Sequence, residues 1–191
     1  EFSLEAYKMI LKQGKMVLNS YMLTICTTVS GTILALLLQS SFGYVLSRQD
    51  YAYGSAISRY LYFSMMFSGG MIPLYMLITQ VLNLKDSFWV LVIPLLGGGG
   101  NIYMLRNFFK QIPYSIVESA KLDGADEFTI FFKLALPITK TGIATVAVFL
   151  VLFFWNEWFT SMMYMSSERY VTLQYLLTKL INNVTFFQVK G

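Results

Sequence analysis

Long apolar runs separated by shorter polar stretches dominate this chain. Four runs reach the roughly 20 mostly apolar residues that a helix needs to cross a bilayer: about Met16–Leu46, Ile57–Leu82, Phe88–Phe109 and Ile138–Phe159. Only helices and closed barrels satisfy their backbone in lipid, and barrel strands alternate over about ten residues. These runs are too long and too evenly apolar for strands. The pattern predicts an all-α, polytopic helical membrane protein. Two amphipathic pieces flank the spans. Phe2, Leu4, Tyr7, Ile10 and Leu11 mark one face of Glu1–Lys15, with Ser3 placed to cap it, and predict a helix lying at a membrane surface. Leu173, Leu176, Leu177, Leu180 and Ile181 form a second stripe. Asn182 and Asn183 follow it, so it reads as a short amphipathic helix and not a span.

The spans carry their own punctuation. Ser20, Thr24, Thr27, Thr28, Gly31 and Ala35 follow one face of the first. Small residues let helix backbones approach in lipid, so the stripe reads first as helix packing and second as a substrate path. Gly69, Gly70 and Pro73 predict a break or kink in the second span. Pro94 and Gly97 to Gly100, followed by Asn101, favour an unwound or bent segment in the third, either a hinge or a close-packing surface.

The long polar insertion between Arg106 and Pro137 is the most informative stretch. Pro113 followed by Ser115-Ile-Val-Glu118 reads as a helix start with a capping box. Gly124 sits where a left-handed helix end belongs, and Asp126 is placed to cap a second short helix. The expectation is helix, sharp glycine turn, helix. Phe128 to Leu136 is apolar on nearly all sides and is expected to be buried against protein or lipid.

Composition sharpens the class. Charged residues make up 13% of the chain and mean hydropathy is +0.58, against roughly 25% charged in soluble domains. The single cysteine, Cys26, rules out an internal disulfide, and the absence of histidine rules out His-based metal sites and His-dependent triads. No phosphate loop of the Gly-x-x-x-x-Gly-Lys-Ser/Thr type occurs, so the chain is not itself an ATPase. No paired-acid or Ser-His constellation suggests an enzyme. Cytoplasmic loops collect Lys and Arg. Arg48, Arg59, Arg106, Lys110, Lys121, Lys133 and Lys140 lie on one side, against Lys85 and Arg169 in the short loops opposite. Lys8, Lys12 and Lys15 argue mildly the other way. The insertion is therefore expected in the cytoplasm, with Glu1–Lys15 and Ser161–Gly191 outside. The chain starts without Met and reads as a fragment, with one more span expected before Glu1 if the full protein starts inside.

Glu118-Ser119-Ala120, then Gly124 six residues after the glutamate, then Leu134-x-Leu136-Pro137 resembles the EAA loop of bacterial ABC importer permeases. The family pattern is Glu-Ala-Ala, three residues, Gly, nine residues, Ile, one residue, Leu-Pro. This chain departs mildly at Ser119 and Leu134 and keeps the spacing. Tyr103-Met-Leu-Arg106-Asn-Phe-Phe109, Leu122-Asp123-Gly124-Ala125, Trp155-Asn156-Glu157 and Val171-Thr-Leu173 look like the carbohydrate-uptake branch, the maltose-permease-like subunits. The resemblance covers nearly the whole chain. It implies a single permease domain over 1–191 of the type I importer core, holding the second through fifth of six core spans, with a coupling loop at about 110–137. It also implies residence in the bacterial inner membrane. The partners it implies are two ATPase subunits that bind the ATP, a second and distinct permease subunit, and an extracytoplasmic solute-binding protein. No cofactor of the chain's own and no nucleic acid is expected.

Under that resemblance Glu118 pairs with an arginine of the ATPase. Ala120 permits close approach, Gly124 makes the turn, and Pro137 sets the approach to the next span. Ser119, Asp123 and Leu136 complete the coupling set. Glu118 and Gly124 also have plainer readings as a capping-box partner and an ordinary helix stop. Near the outer end of the last span, Trp155, Asn156 and Glu157 are substrate-path candidates, because ionisable residues in spans are functional by default. Headgroup contact and an interfacial aromatic belt with Trp158 are the alternatives. Amino-acid or peptide permeases share the EAA loop and stay open. An ion-driven secondary transporter would need acids near mid-membrane, and the span acids lie near the ends.

Overall fold

The computed structural model describes residues 14–166 and 171–189. Most of the amphipathic segment expected at the start of the chain, including Phe2 to Leu11, lies outside these residues, as does Arg169. Among the described residues the regular elements are all helical. In chain order, α1 is Gly14–Ser47, α2 Gly54–Met66, α3 Met71–Met76, α4 Gly99–Phe109 and α5 Tyr114–Leu122. Then come α6 Glu127–Thr129, α7 Leu136–Ile138, α8 Lys140–Asn156, α9 Phe159–Tyr164 and α10 Leu173–Val189. Two π-helical segments, Leu77–Val81 and Ile130–Ala135, and two 3-10 turns, Phe88–Leu91 and Ile93–Leu95, fill in between.

Of the expected spans, only the first is one unbroken helix. α1 is 34 residues long, and 34 × 1.5 Å per residue exceeds the apolar thickness of a bilayer. The others are bent pairs: Gly54–Met66 with Met71–Val81 at 108°, Phe88–Leu95 with Gly99–Phe109 at 53°, and Glu127–Ile138 with Lys140–Asn156 at 83°. The second expected span is therefore broken and not merely kinked. Its break falls at residues 67–70, where Gly70 adopts φ +87°. The π-helical segment at Ile130–Ala135 ends two residues before Pro137. Proline has no N–H to donate and its ring crowds the carbonyl four residues back, and a widened turn accommodates both.

Two compact units share the chain. The first draws on Glu1–Gly31, Leu74–Pro94 and Val151–Gly191. Its core is Ile78, Val90, Leu91, Tyr164 and Met165, with Leu23, Tyr75, Leu84 and Met163 packed against it. Ser20, Thr24, Thr27 and Thr28 are all buried, so this part of the small-residue stripe is a packing face. The Thr24 hydroxyl also accepts from Leu173 N at 2.9 Å, satisfying one of the N–H groups that a helix start leaves open. α10 runs 17 residues through Asn182 and Asn183, which corrects the expectation that these asparagines end a short helix. Asparagine costs a helix only a few tenths of a kcal/mol, too little to stop it. Only Leu176 of the expected stripe is fully buried; Leu177 and Ile181 are exposed.

The second unit comprises Thr32–Pro73 and Leu95–Leu150. Ala35, Gln39, Ser40, Tyr44 and Leu46 continue the buried face of α1. Gly43 faces α4 so closely that an added Cβ would lie 2.9 Å from Leu105 Cβ and 3.1 Å from Arg106 N. The part of the third span from Leu96 onward is held here by side chains. Gln39, fully buried, donates from Nε2 to Leu96 O at 2.8 Å, the carbonyl just before the unwound Gly97 and Gly98. Arg106 Nε donates to Leu46 O at 2.9 Å, and Tyr103 Oη donates to Ser58 O.

Candidate functional site

The insertion folds as helix, glycine turn, helix. α5 begins at Tyr114 with Pro113 as its N-cap residue, and no side chain caps it. The expected capping box is therefore absent. Pro113 holds φ −57° and ψ 130°, which starts the helix two residues early and puts Ser115 inside the first turn. There its carbonyl accepts from Ser119 Oγ at 2.9 Å. The C-terminus is a Schellman motif: Ala125 N donates to Ala120 O and Gly124 N to Lys121 O, both at 3.0 Å. Asp123 is the C-cap residue and Gly124 takes φ +81°. A Cβ at Gly124 would meet nothing within 4 Å, so its requirement is conformational and not steric packing. A non-glycine residue there costs about 1–2 kcal/mol. Asp126 caps α6 as expected, accepting from Thr129 N at 3.3 Å, and that bond holds its carboxyl below the usual range.

The two sides of α5 differ. Val117 is buried, and Lys121, four residues on, reaches back toward α1. Glu118 and Leu122, at the same spacing one position later, face outward. Leu122 is 85% exposed, and the Glu118 carboxylate makes no hydrogen bond or ion pair among the described residues. Ser119 and Asp123 are exposed as well, and Ala120 is half-buried. Further on, Ile130, Phe131 and Ala135 are buried while Phe128 and Phe132 are exposed. Within this chain the second helical piece is thus covered on one side. Leu136 is half-buried and Pro137 exposed within α7, ahead of the bend, so α8 itself starts at Lys140.

An ion network that the sequence does not announce holds the loop. Arg48 meets Asp50 through two parallel bonds, Nε to Oδ1 at 2.9 Å and Nη2 to Oδ2 at 2.8 Å. The same Nη2 lies 3.2 Å from Glu127 Oε1. Lys121 Nζ bridges Asp50 Oδ2 at 2.7 Å and Glu127 Oε1 at 2.9 Å. Tyr44 closes the group, accepting from Arg48 Nη1 at 3.0 Å and donating to Glu127 Oε2 at 3.1 Å. Hydrogen bonds from Arg48, then Lys121, hold the Asp50 carboxyl well below the usual carboxylate range. Asp50 and then Glu127 raise Lys121 in turn. Tyr44 takes part as a neutral hydrogen-bond donor and acceptor. Arg48 and Asp50 stand out in the sequence only as loop charges. Their partners lie 71 and 79 residues away, so no local spacing links them.

The substrate-path candidates lie elsewhere. Trp155 is half-buried and packs edge-on to Tyr21 with centroids 5.9 Å apart. Asn156 ends α8 and donates from Nδ2 to Leu152 O at 2.7 Å. Glu157 Oε1 accepts from Thr160 N at 2.8 Å and Thr160 Oγ1 at 3.0 Å, which satisfies an open N–H at the start of α9. All three are engaged locally, and the coupling residues and these three are separate groups.

The chain as a whole is similar to known transport proteins. The chain is 37% identical over 180 residues to the polygalacturonan/rhamnogalacturonan transport system permease protein YtcP of Bacillus subtilis, covering 94% of this chain and 62% of that protein. It is 28% identical over 162 residues to the sn-glycerol-3-phosphate transport system permease protein UgpE of Pectobacterium atrosepticum, covering 82% of this chain and 54% of that one. A solved bacterial ABC transporter involved in the import of the acidic polysaccharide alginate superposes with a TM-score of 0.82 at 30% identity, over 91% of this chain and 61% of its own. The chain thus spans about 60% of the length of the most similar of these relatives. Residues 41–188 match the family described as the binding-protein-dependent transport system inner membrane component, and the chain belongs to that family.

Proposed function

We propose that this chain is part of the permease subunit of an ATP-driven importer, and that α5 with its glycine turn couples it to ATPase subunits. The observation that carries this reading is the outward side of α5. It presents a carboxylate, Glu118, that has no partner among the described residues, beside the 85% exposed Leu122 on a short helix outside every candidate span, and its other side is anchored. An exposed acid next to an exposed leucine suits a groove that offers an arginine and an apolar wall. A charge-assisted hydrogen bond there contributes about 1.5–3 kcal/mol. Gly124 supplies a compact turn, and Ser119, Ala120, Asp123, Leu136 and Pro137 complete the element. The excess of Lys and Arg on this side puts the loop in the cytoplasm of the cell that carries the protein.

The imported solute is a sugar or oligosaccharide. The relatives named for polygalacturonan, rhamnogalacturonan and alginate transport support a carbohydrate in this reading, and uronate-containing chains are the first to try. Besides the ATPases, the partners are a second permease subunit of different sequence and an extracytoplasmic binding protein. In this reading Trp155, Asn156 and Glu157, at the far end of α8, are the candidates for lining the solute path, since aromatic faces suit sugar rings.

Tagging the full-length protein, purifying it in mild detergent and identifying what accompanies it tests the reading. An ATPase subunit and a second permease are expected, with the ATPase lost on Gly124→Asp. A protein that purifies alone, with no ATPase even after cross-linking in cells, would point instead to a transporter driven by an ion gradient.

A further inference from the structure

The Tyr44–Arg48–Asp50–Lys121–Glu127 network serves no helix cap and joins parts of the second unit that the backbone does not join. Lys121 precedes the Gly124 turn and Glu127 follows it, so the network grips the turn on both sides. The other ends of the grip sit on the last turn of α1 and the residues just after it. Isolated surface ion pairs contribute little, but bidentate geometry and several coupled charges make a pair directional and persistent. Here the geometry is bidentate, the Arg48 side chain is only 8% exposed, and each acid serves both cations. Tyr44 cannot swing away. Its ring packs edge-on to Phe109 at 5.7 Å and against Phe131 at 5.1 Å. The docking residues Glu118 and Leu122 take no part, so the clamped side of α5 is separate from the side offered to a partner.

We propose that Arg48, Asp50, Lys121 and Glu127 form an ion-pair clamp that fixes α5 and its glycine turn to the Ser47 end of α1, so that the two move as one body. This rests on the coupling role proposed above for α5. Force applied at Glu118 and Leu122 then passes through Lys121 and Glu127 into the 34-residue α1, as well as along the chain into α8. The clamp residues are positioning residues. They hold the coupling helix and touch neither ATP nor solute.

The test uses the full transporter with Cys26 replaced by Ser and spin labels at Gln49→Cys and Phe128→Cys, both exposed positions beside the clamp. Distances are measured without nucleotide and with ATP and vanadate. One narrow distribution is expected, the same in both states. In Asp50→Asn/Lys121→Gln the width should at least double while the ATPase still co-purifies. Asp50→Glu/Lys121→Arg, which keeps the charges, should restore the narrow distribution. Two separated distances in the otherwise unaltered transporter, or a double variant as narrow as it, would overturn the clamp. So would loss of the ATPase in the double variant with the distribution still narrow. If no ATPase co-purifies at all, the coupling reading falls, and the nucleotide-free widths still decide whether the clamp exists.

Discussion

Two irregular stretches of backbone in the second unit are held by opposite chemistry. At the Gly124 turn, four charged side chains grip both sides of the break. At the unwound residues 96–98 of the third span, one neutral side chain does the equivalent work, the Gln39 amide on Leu96 O. The difference follows from the surroundings. Asp50, Lys121 and Glu127 keep between about a third and half of their side chains in contact with solvent, so three of the four charges stay hydrated, and the fourth, Arg48, only 8% exposed, is paired with both acids. Gln39 is fully buried in a span, where a charge is costly and a carbonyl released from its helix still needs a donor. A neutral amide meets that need without a desolvated ion. The first break can thus be strengthened by adding charge pairs, and the second cannot.

Four changes would break or sharpen this contrast, the largest first. Gly124→Asp should leave membrane insertion intact and reduce uptake in cells to background, because the left-handed turn that orients α5 is lost; uptake and membrane content are measured together. Glu118→Lys should also insert normally. Loss of a bond contributing about 1.5–3 kcal/mol, with repulsion added, should weaken ATPase binding by roughly tenfold to a hundredfold in a titration with purified ATPase. Normal uptake by both variants would remove the coupling role from α5. Gln39→Leu should act on stability and leave ATPase co-purification unchanged. It leaves Leu96 O with only the Gly98 N–H at 3.2 Å, a loss of about 0.5–1.5 kcal/mol for one hydrogen bond, seen as a Tm lower by a few degrees in detergent. Gln39→Glu should be worse than Gln39→Leu if the break cannot take a charge. A Glu variant as stable as the native chain would erase the distinction drawn above.

The smallest effect concerns pH. The Asp50 carboxyl is depressed in the folded chain by Arg48 and Lys121. A depressed acid contributes stability that is present above its unfolded value, about 3.9, and is lost as pH falls through its folded value. The Tm difference between the native chain and Asp50→Asn should therefore stay constant from pH 5 to 8 and shrink only below about pH 4. A difference that changes near neutrality would mean that Asp50 is not held by these cations.

The long apolar runs by themselves determined the class of this protein, since a chain with so few charges in such lengths must satisfy its backbone as helices in lipid. The turn at Gly124 and the cap at Asp126 were equally legible, because each depends on residues within one helical turn. Local signals failed where a neighbour changed the frame. Pro113 shifted the start of α5 and dissolved the expected capping box, and the helix through Asn182 and Asn183 ran on past two residues too weak to end it. Only the tertiary structure decided the 108°, 53° and 83° bends, the Gln39 contact and the joining of Arg48 and Asp50 to Lys121 and Glu127. Hydrophobicity and capping act over a few residues and are written in order along the chain. Ion pairs and bend angles depend on which distant segments meet, and that is settled by packing.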